Sequence, residues 1–434
     1  MNQERADDPT YINYMGSSML LHTDPELRAP LHSLVEARRV TTHFQPIFSV
    51  RRKSVVGLEA LSRGVGPSGD LIAPYTLFKQ AAAEGIAGAV EDLCRESAVR
   101  NFHRLRTRPE ELLLFLNLDL TGMTKPSVLS AELEALIRAP GLDPRNVGVE
   151  FLESRLDDVG RFGELATALR QRGFLVVLDD VGAGHSNLDR IPLLRPDVIK
   201  IDRSLITGVD GDFYKQETFK SLVSLSRRIG ALVVAEGIET EAEAVTALEL
   251  GADLLQGFFL GRPSAGAAFD NGGFERAAGC VEPLARAFKS HMVNQINERK
   301  TEYRRFNMIL NRILCDITSA SPPEFDAILQ RLVGEYPKID CLYVLDDSGV
   351  QVTDTICGAG LAGRSGGAMF RPAAKGTDHS LKEYFYVLID VELQKYTTDP
   401  YVSLAGGQLC RTISTCFRDA VQNRTFVLCV DVRA

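Results

Sequence analysis

The chain has 434 residues, 45% apolar and 24% charged, which leaves room for one large α/β barrel and a smaller unit. A net charge of −8 excludes an electrostatic footprint for a DNA or RNA duplex or an anionic membrane, though a local basic pocket for a small phosphorylated ligand remains open. No apolar run approaches the roughly 18–20 residues of a membrane-spanning helix, and the polar opening MNQERADDPT is not a signal peptide, so the expected location is the cytoplasm. Eight cysteines show no CxxC spacing and read as packed, reduced thiols rather than zinc ligands.

Residues 1–30 carry little periodicity and are expected to form a flexible lead-in. Across 31–280, short apolar runs alternate with amphipathic segments, the rhythm of βα units around a parallel sheet. Eight runs read as strands: HFQPIFSV, VVGLEALS, LLLFLNLD, VGVEFLE, FLVVLDD, DVIKID, ALVVAEG and ADLLQGF. Helical stretches such as GELATALRQRG, TFKSLVSLSRRIG and ETEAEAVTALELG lie between them and close on Gly173, Gly230 and Gly251, as helix C-caps do. The pattern predicts an α/β fold, a (β/α)8 TIM-like barrel, with a doubly wound open sheet as the alternative. Residues 281–320 read as one or two long, charged helices forming a linker. From 321 to 434 the signals turn antiparallel. CLYVLDDSGVQVTDT reads as a hairpin about Asp347-Ser348-Gly349, and PYVSLAGGQLCRTIST and RTFVLCVDVR as further strands of a small α+β domain.

The polar residues at the ends of the eight runs are Gln45, Glu59, Asn117, Glu150, Asp179 with Asp180, Lys200, Glu236 and Gln256. In a parallel barrel these ends emerge on one face, where active sites are built. Carboxylates converging there repel one another unless cations offset them. Hard divalent ions, Mg²⁺ or Mn²⁺, take oxygen ligands and suit this set, which lacks His and Cys. Adjacent aspartates can serve two ions, and a two-metal site would clamp the attacking and leaving oxygens of a phosphoryl displacement. Lys200 is the one cation of the ring and is expected to meet a phosphate or the attacking water.

These residues carry a family likeness. EALSR (59–63) resembles the signature of EAL-domain cyclic di-GMP phosphodiesterases. The likeness continues through FQPI (44–47), NLD (117–119), EFLES (150–154), DDVGAGHSNL (179–188), IKID (199–202), AEGIE (235–239) and QGFFLGRP (256–263). The resemblance implies metal-dependent hydrolysis of cyclic di-GMP to linear pGpG with Mg²⁺ or Mn²⁺; Ca²⁺ is expected to inhibit, because its larger radius and looser coordination would spoil a two-metal spacing. It implies Glu59, Asn117, Glu150, Asp179, Asp180 and Glu236 as metal ligands. Lys200, Glu59, Gln256 and Glu153 are the implied catalytic set, Lys200 acting on the water and Glu153 anchoring the loop after the paired aspartates. Gln45, Leu61, Arg63, Asp202, Glu239 and Pro263 are the implied substrate contacts, Arg63 to phosphate; the alternative for Arg63 is a salt bridge on the barrel rim.

The loop departs from the family's usual DDFGTGYSSL at Val181, Ala183 and His185. None of these removes an implied metal ligand, but the loop is the region that the family uses for dimerisation and control. The C-terminal part resembles a PAS- or Cache-like sensor in a YkuI-type arrangement, its ligand or signal unknown; a dimerisation or folding partner is the alternative. No GGDEF-like cyclase motif is present. Two functions follow: an active phosphodiesterase, or a non-catalytic cyclic di-GMP receptor that passes binding on to a partner. The complete set of implied ligands favours the enzyme. A homodimer is expected, with the loop after Asp180 at or near its interface.

Overall fold

A computed structural model of the chain describes residues 31–105, 112–118, 125–152, 159–183, 188–270, 272–358, 371–405, 407–421 and 423–433. It divides into two compact units, Met1–Asn294 and Gln295–Ala434. The lead-in expected over 1–30, Glu153 and His185 lie outside the described residues.

The first unit holds β1 (Val40–Ser49), β2 (Ser54–Val65), β3 (Leu71–Ile72), β4 (Leu113–Asn117), β5 (Val147–Leu152), β6 (Leu175–Val181), β7 (Val198–Ile201), β8 (Leu232–Ala235), β9 (Leu254–Leu255) and β10 (Ser264–Ala265). Strands β2, β4, β5, β6, β7, β8 and β9 pair in parallel, in that order. Strand β1 pairs with both β9 and β2 and closes an eight-stranded barrel; β3 and β10 only extend its edges.

One expectation changes here. The first strand is antiparallel to both of its neighbours, not the first of eight parallel βα units. Only residues 50–53 separate β1 from β2, and a parallel connection needs a crossover of about a dozen residues or more. The chain therefore turns back as a hairpin. Gln45 consequently sits mid-strand, opposite Glu59, rather than at a strand's carboxyl end.

Side chains alternate between the two faces of each strand, and the inner face fills the barrel. Ile47, Phe115, Val177, Val198, Val234 and Leu254 make that inner layer. Phe115 takes the space that its neighbours leave empty: a Cβ on Gly57 would meet its ring at 2.6 Å, and one on Gly148 at 3.0 Å. Outside the sheet, the helix Val159–Gln171 buries Phe162, Leu165, Ala166 and Leu169. Their spacing of three and four residues lays them along one face. The helices Phe213–Ile229 and Glu241–Leu250 start on Asp212 and Thr240, whose side chains accept from backbone N–H groups, and end on left-handed Gly230 and Gly251.

A helix runs from Gly273 to Thr318. Val281 and Leu284 belong to the core of the first unit, and Ile309, Ile313 and Ile317 to that of the second. The second unit carries an antiparallel sheet of β11 (Ile339–Asp346), β12 (Ile356–Cys357), β13 (Lys395–Thr397), β14 (Tyr401–Val402), β15 (Leu409–Arg418) and β16 (Thr425–Arg433), in the order β12-β11-β16-β15-β13 with β14 also on β15. The expected turn at Asp347-Ser348-Gly349 forms, Gly349 taking φ 87°. Its far arm contributes the isolated bridges Leu345–Gln351 and Val350–Asp378 rather than a strand. The helix Phe325–Glu335 supplies Phe325, Leu329, Leu332 and Val333 to this core. Among the described residues no helix is long and apolar enough to cross a membrane. Among the eight cysteines, all free, Cys280 and Cys315 are exposed rather than packed.

Candidate active site

The alternation that fills the barrel also builds the site. Two residues beyond each member of the inner layer, the next inward side chain is polar. Phe115 leads to Asn117, Val177 to Asp179, Val198 to Lys200, Val234 to Glu236 and Leu254 to Gln256. Gly57 and Gly148, which flank Phe115, lead in the same way to Glu59 and Glu150. On the antiparallel β1 the step is reversed, from Ile47 back to Gln45. A period of two thus delivers every strand's polar residue to one end of the barrel.

Lys200 stands at the centre, 1% exposed. Its Nζ lies 2.6 Å from Glu236 Oε1, 2.8 Å from Glu150 Oε1, 3.2 Å from Glu59 Oε2 and 3.5 Å from Asp179 Oδ1. Gln256 Nε2 donates to Glu59 Oε2 at 2.6 Å, and Asn117 Nδ2 to Glu59 Oε1 at 3.3 Å. Glu150 is fully buried. Although Lys200 is close to it, neither of its oxygens has an aligned hydrogen-bond donor among the described residues.

Asp180 would ordinarily point away from Asp179, since neighbours on a strand face opposite sides. Its backbone takes φ 57°, and the β6–β7 register slips between Leu178 and Val181. An unpaired residue in the left-handed region re-aims the side chain. Asp179, Asp180 and Glu236 then each offer an oxygen within 4.8 Å of the others.

One lysine faces five buried or half-buried carboxylates, and the electrostatics reflect it. Burial, then the neighbouring negative charges, raise Glu150, Asp180 and Glu236 well above the ordinary carboxylate range against the pull of Lys200. Asp179 is raised in the same way. Burial also opposes ionisation of Glu59, but Lys200 and the hydrogen bonds from Gln256 and Asn117 overcome it, so this carboxyl lies below its usual value. Burial pulls Lys200 down, yet Asp179, Glu150, Glu236 and Glu59 together hold it well above the ordinary lysine value. The lysine stays charged. The remaining negative charge calls for further cations.

The other expected residues divide into three groups. Gln45, Asp202 and Glu239 line the same cavity as the carboxylates. Asp202 caps the short helix Arg203–Ile206, and Glu239 lies 3.6 Å from Arg203. Leu61 and Arg63 share strand parity with Glu59 but line an adjoining hollow, together with Asn117. Arg63 donates to the Ser62 carbonyl at 2.8 Å, and among the described residues no salt bridge holds it. Pro263 is half-buried and lines neither space. Arg203, Gly237 and Phe258 also line the cavity, and sequence reasoning missed them. The signal for Arg203 was its place directly after IKID.

The EAL-domain family profile matches residues 28–263. Over 397 residues the chain is 25% identical to the EAL-domain containing protein YkuI of Bacillus subtilis, covering 89% of this chain and 93% of YkuI. It is 29% identical over 255 residues to the Pseudomonas aeruginosa bifunctional diguanylate cyclase/cyclic di-GMP phosphodiesterase MucR, covering 58% of this chain and 37% of MucR. The chain thus spans about a third of the length of MucR, and 29% of the Bacillus subtilis signalling protein YkoW. The fold matches the crystal structure of B. subtilis YkuI in complex with c-di-GMP and calcium, with a TM-score of 0.74 at 21% identity, over 94% of this chain and 100% of that one. With the profile covering more than half of its length, the chain belongs to the EAL-domain family.

Proposed function

We propose that this protein is a metal-dependent phosphodiesterase that hydrolyses cyclic di-GMP to linear pGpG. The observation that carries the reading is the convergence of Glu59, Glu150, Asp179, Asp180 and Glu236 on Lys200 at one end of the barrel. Relatives whose names state this activity, such as MucR, and the YkuI complex with c-di-GMP support it.

The residues fit divalent cations. Asp179, Asp180 and Glu236 offer closely grouped oxygens, and Glu150 holds two buried oxygens without aligned donors among the described residues. Glu59 and Asn117 complete an all-oxygen donor set suited to two ions, Mg²⁺ or Mn²⁺, with Ca²⁺ inhibitory. Such ions, when bound, polarise the scissile phosphate and lower the pKa of water. The protein's own part is positional. Lys200, charged and fixed by four carboxylates, orients the water and donates to phosphoryl oxygen rather than taking a proton. Gln256 and Asn117 hold the Glu59 carboxylate in one orientation. Attack of the water oxygen on phosphorus breaks the bond from phosphorus to the ribose 3′ oxygen; the water gives up one proton, the departing 3′ oxygen takes one up, and the 5′-phosphate stays on the linear product. Arg63 and Arg203 supply the cationic groups for the substrate phosphates, and Gln45, Leu61, Asp202 and Glu239 complete the proposed contacts.

We also propose a cytoplasmic homodimer, residues 281–320 as linker, and a PAS-like sensor over 321–434; sedimentation of the full chain tests the dimer. The decisive assay follows c-di-GMP turnover by chromatography with Mg²⁺ or Mn²⁺. Appearance of pGpG, lost in Glu59→Gln, is expected. Tight binding with no product at either metal would replace the enzyme by a receptor.

A further inference from the structure

The second unit contains a cavity that the phosphodiesterase reading does not use. It encloses about 390 Å³ between β11, β14 and β16 and the segment 371–384. Its polar depth is built rather than incidental. Asp431 projects into it from β16, 4% exposed. The carboxylate accepts from Thr412 Oγ1 at 2.7 Å, and the Tyr343 hydroxyl also hydrogen-bonds to it. Among the described residues no Lys, Arg or His pairs with it. A buried carboxylate without a counter-cation is unfavourable, and here burial pushes its pKa up to about 7.

A second, independent group points into the same space. His379 is 7% exposed; its Nδ1 lies 2.7 Å from the Tyr384 hydroxyl, while its Nε2 is buried without a partner among the described residues. Burial lowers its pKa, and with Tyr384 on Nδ1 the free Nε2 faces the cavity, an acceptor in the tautomer that carries the ring proton on Nδ1. The rings of Tyr343, His379 and Tyr384 cluster with centroids 5.6 to 6.1 Å apart, and Tyr401 lines the cavity beside them. The charged residues of the rim, among them Arg371, Lys382 and Asp399, are exposed and mixed in sign, so water and salt screen them. At depth, among the described residues that line the cavity, the ionisable acid Asp431 has no cation beside it. A carboxylate, an unpartnered ring nitrogen and aromatic faces are complementary to one chemistry, a cation that carries N–H donors or an onium centre.

We propose that this cavity binds a small organic ammonium compound, with Asp431 as its counter-anion, His379 Nε2 as an acceptor, and Tyr343, Tyr384 and Tyr401 as its aromatic walls. The site stands whether or not the barrel hydrolyses a cyclic dinucleotide.

The test is calorimetric titration of the full-length protein with n-butylammonium, ethanolammonium and choline chlorides, with n-butyramide and sodium butyrate as uncharged and anionic counterparts. The chain has no tryptophan and eleven tyrosines, three of which line this cavity, so tyrosine fluorescence gives a second readout. We expect saturable binding of at least one cation, no comparable binding of the amide or butyrate, and a loss of about tenfold or more in Asp431→Asn. Asp399→Asn, on the rim, should bind as wild type. His379→Gln should weaken the same cation, which keeps the proposal testable should Asp431→Asn fold poorly. Absence of binding by all three cations, equal binding of n-butyramide, or undiminished affinity in a folded Asp431→Asn would overturn it.

Discussion

Lys200 shows how one residue's role depends on its neighbours. An isolated lysine at 1% exposure would shed its proton; four carboxylate oxygens within 3.5 Å hold this one charged. We therefore expect Lys200→Ala to keep c-di-GMP affinity while turnover falls by about 10²–10⁴, the range associated with misplaced proton and water chemistry. Wild-type turnover in that variant would remove the lysine from the mechanism. Arg63 makes a narrower prediction. It donates to the Ser62 carbonyl, has no salt bridge among the described residues, and lines the hollow beside Asn117, so its charge is left for a ligand. Arg63→Ala should raise the Kd for c-di-GMP with little change in Mn²⁺ affinity. Unchanged nucleotide affinity would mark the arginine as a rim residue only.

At the level of elements, site precision rests on barrel packing. The inner side chain two residues before each polar group sets where that group sits, and Phe115 fills the space beside both Gly57 and Gly148. Adding one methyl at Gly57 places a Cβ 2.6 Å from the Phe115 ring, an overpacking that costs about 1–3 kcal/mol. Relief comes by shifting β2 or Phe115, hence Glu59 two residues on or Asn117. Gly57→Ala should lower thermal stability and also reduce turnover by more than the lost folded fraction, because small misplacements of reacting groups cost large factors in rate. A variant with lower stability but full specific activity would uncouple the inner layer from the site. The slip in β6 is the other element-level device: without it Asp179 and Asp180 would face opposite sides of the sheet.

Considered whole, the molecule has two compact units, each with its own core. Separate cores favour separate unfolding transitions, so calorimetry should resolve two. Mn²⁺ should raise only the barrel transition, since a ligand stabilises the unit that binds it, and chelation should reverse the shift. The other transition should carry the signature of Asp431. Its folded pKa of about 7 lies above the ordinary 3.8, because burial and nearby Asp340 outweigh the hydrogen bonds from Thr412 and Tyr343. Raised above the unfolded value, this acid favours the folded state fully below pH ~4, and that contribution is lost as pH rises towards 7. The swing is on the order of 4 kcal/mol for a shift of about three units. Asp431→Asn should flatten that pH dependence; a wild-type profile in the variant would place the linkage elsewhere.

The eight apolar runs, their glycine-capped helices and the polar residue ending each run are local patterns. Period two, period 3.6 and capping chemistry are written in neighbouring residues, so the barrel and most of the residues around Lys200 could be read from sequence. What the sequence left open depends on contacts between distant segments. The direction of β1 follows from its pairing with β9 and β2, and only that pairing brings Gln45 opposite Glu59. That Asp180 joins Asp179 requires a register slip against β7, which no spacing within DDVGAG records. Arg203 and Phe258 reach the cavity through the geometry of loops, and Pro263 does not, although all three sit beside recognisable motifs. The second cavity is the clearest case. Asp431, His379 and Tyr343 are scattered through the last hundred residues and share no motif, because their meeting is set by strand register and the closure of long loops, not by sequence distance.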